Sequence, residues 1–89
     1  MELKIKYFGV LAEITGCNEE KISTEKLIMA DVIDLIIKKH PGIKGRSFKI
    51  AQNKLIVNKD TQVDGSEIAV LPPFSGGWKD IVDILILMK

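Results

Sequence analysis

The 89-residue chain has little cysteine, few aromatic residues and no large excess of charge of either sign. Cys17 is the only cysteine, so an intrachain disulfide is impossible, which favours a cytoplasmic location. The 13 basic and 12 acidic residues leave a net charge of +1, and no aromatic residues interleave the basic ones into a stacking surface. We therefore expect neither a nucleic-acid binder nor a protein of anionic membrane surfaces.

Long hydrophobic runs are also missing. The N-terminus alternates charged and apolar residues and lacks the apolar centre of a secretory signal. The apolar run at residues 81–88 is too short to span a bilayer. We therefore expect no membrane partner.

The motifs of most catalytic sites are absent: no Ser/His/Asp set, CxxC pair, HExxH or phosphate-binding glycine loop occurs. His40 is the only histidine, and the sequence predicts it at a helix C-terminus with no carboxylate or cysteine cluster around it. We expect no metal site, no bound cofactor and no catalytic residues of the chain's own. Whether the chain is part of an enzyme stays open at this point.

Residues 3–8 alternate apolar and charged side chains, as a strand with one buried face does, and residues 19–23 form a plausible hairpin partner. Residues 10–14 are expected to be a connecting turn. Ile28, Val32, Leu35 and Ile36 recur at helical spacing and predict the main helix. We expect Ser23 or Thr24 to cap its start, and His40-Pro41-Gly42 to end it.

The second half of the sequence predicts short extended segments. Residues 43–46 are expected to form a loop, residues 48–51 and 55–57 strands, and Asp64-Gly65 a tight turn. Residues 67–71 form the last strand, which Pro72-Pro73 ends because proline has no N–H for the ladder. This order predicts an α+β domain with a mixed sheet of four to five strands packed on one main helix.

The most informative segment follows that strand: Leu71-Pro72-Pro73-Phe74-Ser75-Gly76-Gly77. Two glycines make a strip thin enough for a narrow active site, and the prolines keep it extended. Phe74 is a candidate apolar anchor in a partner groove. Such a strip normally ends at a carboxylate that ATP can activate by adenylation. Here the carboxyl of Gly77 is an amide to Trp78, so the reactive end is blocked.

This tail resembles the C-terminal signature of the small subunit of molybdopterin synthase, the MoaD family. Weaker matches agree with it: residues 5–16, the helix end at residues 40–42, residues 50–53 and residues 64–70. The resemblance covers residues 1–77 and implies a ubiquitin-like β-grasp fold.

The family resemblance also implies a function. In that family an activating enzyme adenylates the terminal glycine with ATP, and sulfur transfer then gives a thiocarboxylate. The tail enters the large subunit, within a heterotetramer, and passes its sulfur to precursor Z during molybdenum cofactor biosynthesis. Carried onto this sequence, Gly77 is the acyl carrier, Gly76 gives clearance, and Leu71, Pro72, Pro73, Phe74 and Ser75 form the docking tail.

Residues 78–89 depart from the family, whose chains stop at the second glycine. We therefore divide the chain into a domain at residues 1–77 and an extension at residues 78–89. The extension is a removable pro-segment, a readthrough or cloning product, or the mark of a variant that has lost sulfur transfer. Its apolar residues fall at helical spacing, although residues 84–88 also suit a strand, and it is a candidate for packing on the domain or for self-association.

Other functions fit the same tail. A ubiquitin-like protein modifier would join Gly77 to a partner lysine, and a thiamine-type sulfur carrier would share the two glycines. A binding-only β-grasp module would use no tail chemistry.

Overall fold

The computed structural model describes residues 1–25 and 27–73, which form one five-stranded mixed sheet with helices on one side. The strands are β1 (Glu2–Tyr7), β2 (Glu19–Ser23), β3 (Lys49–Gln52), β4 (Leu55–Val57) and β5 (Ile68–Leu71). The helices are α1 (Val10–Thr15), α2 (Met29–Lys39) and a short 3-10 helix (Pro41–Ile43). The predicted α+β class and ubiquitin-like β-grasp arrangement are confirmed.

The strand order is β2-β1-β5-β3-β4, so the first and last strands lie side by side within the sheet. β1 and β5 are parallel, with Ile5 opposite Ile68 and Tyr7 opposite Val70. β2 and β3 flank this pair in antiparallel orientation. Because β1 and β5 run in the same direction, the loop after β1 and the tail after β5 start at the same end of these two neighbouring strands.

The main core lies between the sheet and α2. Alternate residues of β1, β3 and β5 face the helix, and α2 contributes one apolar stripe. Val32 and Ile36 are buried as predicted, whereas Ile28 precedes the helix and is exposed, and Leu35 lies outside the buried cluster. The buried members are Leu3, Ile5, Tyr7, Ile50, Ile68 and Val70 from the sheet, and Met29, Val32, Ile33 and Ile36 from α2. Each fully buried large side chain contributes about 1.5–3 kcal/mol, so this layer is the main source of stability.

A smaller cluster lies on the opposite face of the sheet, which we call the outer face. Ala51, Ala69 and Leu71 are fully buried there, and Phe8 and Ile56 pack against them. Because side chains alternate along a strand, Leu71 belongs to this face and Val70 to the helix face. The last side chain of β5 is therefore anchored on the outer face.

Three local predictions are wrong. Residues 10–14 belong to α1, a six-residue helix that buries Leu11 and ends at Gly16 in the left-handed conformation. Part of the predicted loop at residues 43–46 belongs instead to the 3-10 helix, which buries Ile43. In both segments an apolar side chain enters the core, and its burial stabilises a short helix. Helices this short have too few residues to show helical periodicity in the sequence.

The start of α2 is the third difference. Ser23 lies in β2 and Thr24 directly follows it, so neither predicted residue is at the start of the helix. The residue before the helix is Ile28, whose side chain makes no capping hydrogen bond. The N–H groups of Met29 and Ala30 donate instead to the carbonyls of Thr61 and Lys59, at 2.9 and 3.0 Å. A distant loop thus satisfies the helix N-terminus, and no local cap is needed. His40 ends α2, as predicted.

Candidate functional site

The tail begins at a rigid point of the fold. Leu71 is fully buried, Pro72 is half-buried and Pro73 is exposed. These three predicted tail residues therefore pass from the core to the surface within three positions. The other predicted site residues, Phe74, Ser75, Gly76 and Gly77, lie outside the described residues, as do residues 78–89.

Gly9 holds the first tail proline in place, a role that the sequence analysis missed. Gly9 follows β1 and has φ +60° and ψ −137°, a conformation essentially restricted to glycine. A Cβ added there would lie 3.1 Å from Cγ of Pro72. The neighbouring Phe8 N–H donates to the carbonyl of Val70 at 3.2 Å. The chain after β1 thus packs closely against the base of the tail, and a glycine directly after a strand was the available signal.

Gln52 and Asp64 organise the loop that leads into β5. Gln52 is a buried polar residue whose Nε2 donates to the carbonyl of Gln62 at 3.0 Å. Its Oε1 accepts from the N–H of Asp64 at 3.1 Å. The Asp64 carboxylate accepts from the N–H of Ser66 at 2.8 Å, and hydrogen bonds involving Ser66 lower the pKa of Asp64. These bonds hold the turn before β5, and through β5 they position the tail.

An open groove lies beside Pro73, the last described residue of the tail. It encloses about 650 Å³ between α2, the segment before β3 and the end of β4. Arg46, Lys49 and Lys59 line it, together with apolar Ile33 and Phe48. The groove therefore places positive charge next to the base of the tail, where an acidic protein surface would be attracted.

His40 has neighbours that the sequence analysis did not predict. Its Nε2 lies 2.6 Å from Oε2 of Glu20 in β2, and the Tyr7 hydroxyl donates to the same oxygen at 2.5 Å. Lys39 Nζ lies 2.5 Å from the other oxygen, Oε1. Cys17 also joins the group: its sulfur, a Glu20 carboxylate oxygen and a His40 ring nitrogen all lie within 4.8 Å of one another. The expectation that no carboxylate or cysteine accompanies His40 is therefore wrong.

The Glu20 carboxylate is the electrostatic centre of this group. Burial alone would raise its pKa, but hydrogen bonds from Lys39, Tyr7 and His40 outweigh burial and lower it to about 2. Burial raises the pKa of Tyr7, and its hydrogen bond to Glu20 raises it further. Glu20 is thus ionised and Tyr7 is a neutral hydrogen-bond donor at neutral pH. The group ties the β1–β2 hairpin to the C-terminal end of α2.

Among residues 1–25 and 27–73, no helix is long and apolar enough to cross a membrane.

Two kinds of sequence comparison agree on the kind of protein that this chain is similar to. The ThiS family profile matches residues 5–77. A molybdopterin synthase sulfur carrier subunit of Chlamydomonas reinhardtii is 31% identical over 83 residues, covering 86% of this chain and 100% of that relative. A Homo sapiens protein of the same name is 35% identical over 83 residues, covering 85% and 94%.

Solved structures share the fold. The crystal structure of a small archaeal modifier protein from Haloferax volcanii has a TM-score of 0.75 at 21% identity, covering 86% of this chain and 100% of that one. Small archaeal modifier protein 1 from Methanosarcina acetivorans has a TM-score of 0.69 at 30% identity, covering 85% and 96%. A complex of subunits 1 and 2 of the molybdopterin-converting factor from Helicobacter pylori contains a chain with a TM-score of 0.60 at 27% identity, covering 86% and 100%.

Proposed function

Because the chain belongs to the ThiS family, we propose that it is a ubiquitin-like sulfur carrier and the small subunit of a molybdopterin synthase. One observation carries the proposal: the family match ends at Gly77, the second glycine of a tail whose base is held by Leu71 and Pro72. The two curated relatives named above carry the name of that subunit. A rigid domain with a narrow tail suits delivery of an activated carboxylate into another protein.

The proposed chemistry takes place at the carboxyl carbon of Gly77. An activating enzyme transfers AMP from ATP to the free carboxylate and releases pyrophosphate. A hydrosulfide-equivalent nucleophile then attacks this carbon and displaces AMP, which leaves a thiocarboxylate. Its sulfur is passed to precursor Z as the carbon–sulfur bond breaks, and water restores the Gly77 carboxylate. ATP is consumed by the activating enzyme, and this chain itself supplies no acid, base or metal to the reaction.

We propose the large subunit of molybdopterin synthase as the partner that receives the tail. The Helicobacter pylori relative was solved in a complex of subunits 1 and 2, which supports an assembly of this type. In this chain the positive groove beside Pro73, with Arg46 and Lys49, is suited to guide an acidic partner surface. A heterotetramer with two copies of each subunit is the proposed assembly.

The chain must end at Gly77 before it can act, because an amide at Gly77 cannot be adenylated. Removal of residues 78–89 by cleavage before Trp78 would produce that end, and so would synthesis of a shorter chain. The intact mass of the protein from its native cells tests this step. We expect a chain ending at Gly77, with a fraction heavier by the exchange of one oxygen for sulfur.

A reconstituted assay tests the chemistry directly. The full chain and a chain ending at Gly77 are incubated with the activating enzyme and ATP, and pyrophosphate release and the acyl-adenylate mass are measured. We expect adenylation of the chain ending at Gly77 and none of the full chain, and a matched control ending at Gly76 should react far more slowly than the chain ending at Gly77. If the chain ending at Gly77 folds normally but is not adenylated, the sulfur-carrier proposal is wrong.

A protein modifier is the second candidate, favoured by the 30% identity to small archaeal modifier protein 1 from Methanosarcina acetivorans. In that case the activated Gly77 would form an isopeptide with a lysine of another protein. Mass spectrometry of cell extract proteins separates the two functions. Lys59 is the last basic residue before Gly77, so after trypsin digestion a lysine that carries residues 60–77 as a branch indicates a modifier. A thiocarboxylate that supports molybdopterin synthesis from precursor Z indicates the carrier.

A further inference from the structure

We propose that Cys17, Glu20 and His40 form a binding site for a zinc-like divalent transition metal, independent of the tail chemistry. Three elements of the fold bring these residues together: the turn after α1, strand β2 and the C-terminal end of α2. Their ligand atoms, one sulfur, one oxygen and one nitrogen, all lie within 4.8 Å of one another.

The ligand types select the metal. Thiolate, imidazole and carboxylate are the three side-chain ligands of zinc, and magnesium and calcium prefer sites made of oxygen atoms alone. Three protein ligands leave a fourth position for water, as in zinc sites that stay open. Binding would release the proton of the Cys17 thiol to solvent, and no oxidation or reduction is involved.

The spacing requires only small side-chain movements. Zinc bonds of about 2.0 Å to nitrogen or oxygen and 2.3 Å to sulfur place neighbouring ligand atoms of a tetrahedron about 3.3–3.7 Å apart. The oxygen and nitrogen of Glu20 and His40 lie 2.6 Å apart and must separate by less than about 1 Å. The sulfur of Cys17 must approach by about 1.5 Å at most. Rotation about side-chain bonds can supply movements of this size, and the Cys17 sulfur then gives up its contact with Oγ1 of Thr15, 3.7 Å away.

A neighbouring residue, Tyr7, is placed to hold the Glu20 and His40 side chains in position. The Tyr7 hydroxyl donates to the Glu20 carboxylate, and the edge of its ring meets the His40 ring with centroids 5.6 Å apart. Such neighbours fix the orientation of metal ligands. The Glu20 and His40 side chains are 11% and 14% exposed, so an ion can enter while its charge interactions stay strong.

Lys39 opposes binding and gives the proposal its sharpest test. Its ammonium lies 2.5 Å from Oε1 of Glu20, where its charge competes with a cation for the carboxylate. The Lys39 side chain is 53% exposed, so it can move into solvent when a metal binds. Lys39→Met removes the competing charge and leaves all three ligands in place. The proposal therefore requires Lys39→Met to bind metal more tightly than the natural sequence.

Cobalt(II) alone, added to the full chain, is the probe. Cys17 is the only cysteine, so a near-ultraviolet thiolate-to-cobalt charge-transfer band reports on this position and no other. We expect a saturable band with one equivalent of cobalt, which zinc then abolishes by displacement. Cys17→Ser should remove the band, and Glu20→Gln and His40→Gln should weaken cobalt binding by at least ~10-fold.

The control is Glu19→Gln, the same substitution one position earlier on β2, which should leave affinity unchanged. Circular dichroism of each variant checks that the fold is intact, and Lys39→Met tests the site without removing a ligand. A missing band in the natural chain overturns the proposal. So does a band of equal affinity in His40→Gln, because His40 would then not be a ligand.

Discussion

Replacing Glu20 by glutamine tests whether its buried ion network stabilises the fold. The carboxylate accepts from Tyr7, lies 2.6 Å from His40 Nε2 and lies 2.5 Å from Lys39 Nζ, and its side chain is 11% exposed. Glutamine has nearly the same shape and can still accept from the Tyr7 hydroxyl, but it carries no charge. The variant therefore removes the ionic part of the network and little of the packing.

The lowered pKa sets the size of the effect. Glu20 has a pKa of about 2 in the fold against 4.5 when unperturbed. Each tenfold change in acidity is worth ~1.4 kcal/mol, so the network stabilises the ionised carboxylate by about 3 kcal/mol at most. Because the bond from Tyr7 survives in the variant, we expect Glu20→Gln to lower the free energy of unfolding by about 1–3 kcal/mol at pH 7.

Urea unfolding followed by circular dichroism, with a chelator present, measures this loss. The matched control is Glu19→Gln, whose carboxylate pairs with Lys4 at 3.3 Å while both side chains are about half exposed. Exposed pairs contribute roughly 0–1 kcal/mol, so the control should change little. Equal losses in Glu20→Gln and Glu19→Gln would refute the reasoning, since burial and multiple bonding would then add nothing.

Measuring the free energy of unfolding at acidic pH is a second test, and the lowered pKa of Glu20 determines the direction of the expected change. Because the pKa of Glu20 is lower in the fold than in the unfolded chain, its contribution is fully present above about pH 4.5 and is lost as the pH falls toward about 2. The difference in unfolding free energy between the natural chain and Glu20→Gln should therefore shrink as the pH falls across that interval. A difference that grows between pH values of about 4.5 and about 2 would contradict the assignment.

Three further predictions use the same unfolding assay. Gly9→Ala should lower the free energy of unfolding by about 1–3 kcal/mol and Gly16→Ala by about 1 kcal/mol. Both glycines have positive φ, but only at Gly9 would the added Cβ press against a proline. Equal losses in the two variants would exclude that contact. Gln52→Met should lower the free energy of unfolding by about 1–3 kcal/mol, because the Gln62 carbonyl and the Asp64 N–H lose their hydrogen-bond partner. An unchanged free energy of unfolding would contradict this prediction. Leu71→Ala should lower the free energy of unfolding by about 2–5 kcal/mol, whereas Leu55→Ala, at an exposed position, should lower it by less than about 0.5 kcal/mol. Similar losses in the two variants would place Leu71 outside the core.

Elements with a regular side-chain pattern could be predicted from the sequence. The alternation in residues 3–8 corresponds to β1, and the stripe through Val32 and Ile36 corresponds to the buried face of α2. The last strand, before the two prolines, was found because proline cannot continue a ladder. In each case the local pattern and the tertiary environment favour the same structure.

Features that depend on distant partners could not be predicted. α2 begins at Met29 because carbonyls of the loop at residues 59–61 accept from its first N–H groups, thirty positions away in the chain. Glu20 and His40 meet only because the β1–β2 hairpin packs near the end of α2. The role of Gly9 likewise depends on Pro72, which the parallel pairing of β1 and β5 brings beside it. None of these contacts leaves a periodic signal in the sequence.

The anchoring of Leu71 gives the tail a fixed maximum reach. An extended chain advances at most about 3.3–3.6 Å per residue, so Gly77, six residues on, can lie no more than about 22 Å from Leu71. The domain itself is too wide to follow the tail into a narrow channel. Any enzyme that acts on Gly77 must therefore place its reacting atoms within that depth of the surface on which the domain rests. Each residue inserted between Pro73 and Gly76 would carry the Gly77 carbonyl up to about 3.3–3.6 Å beyond those reacting atoms. The length of the tail therefore determines how deep in the partner the reaction takes place.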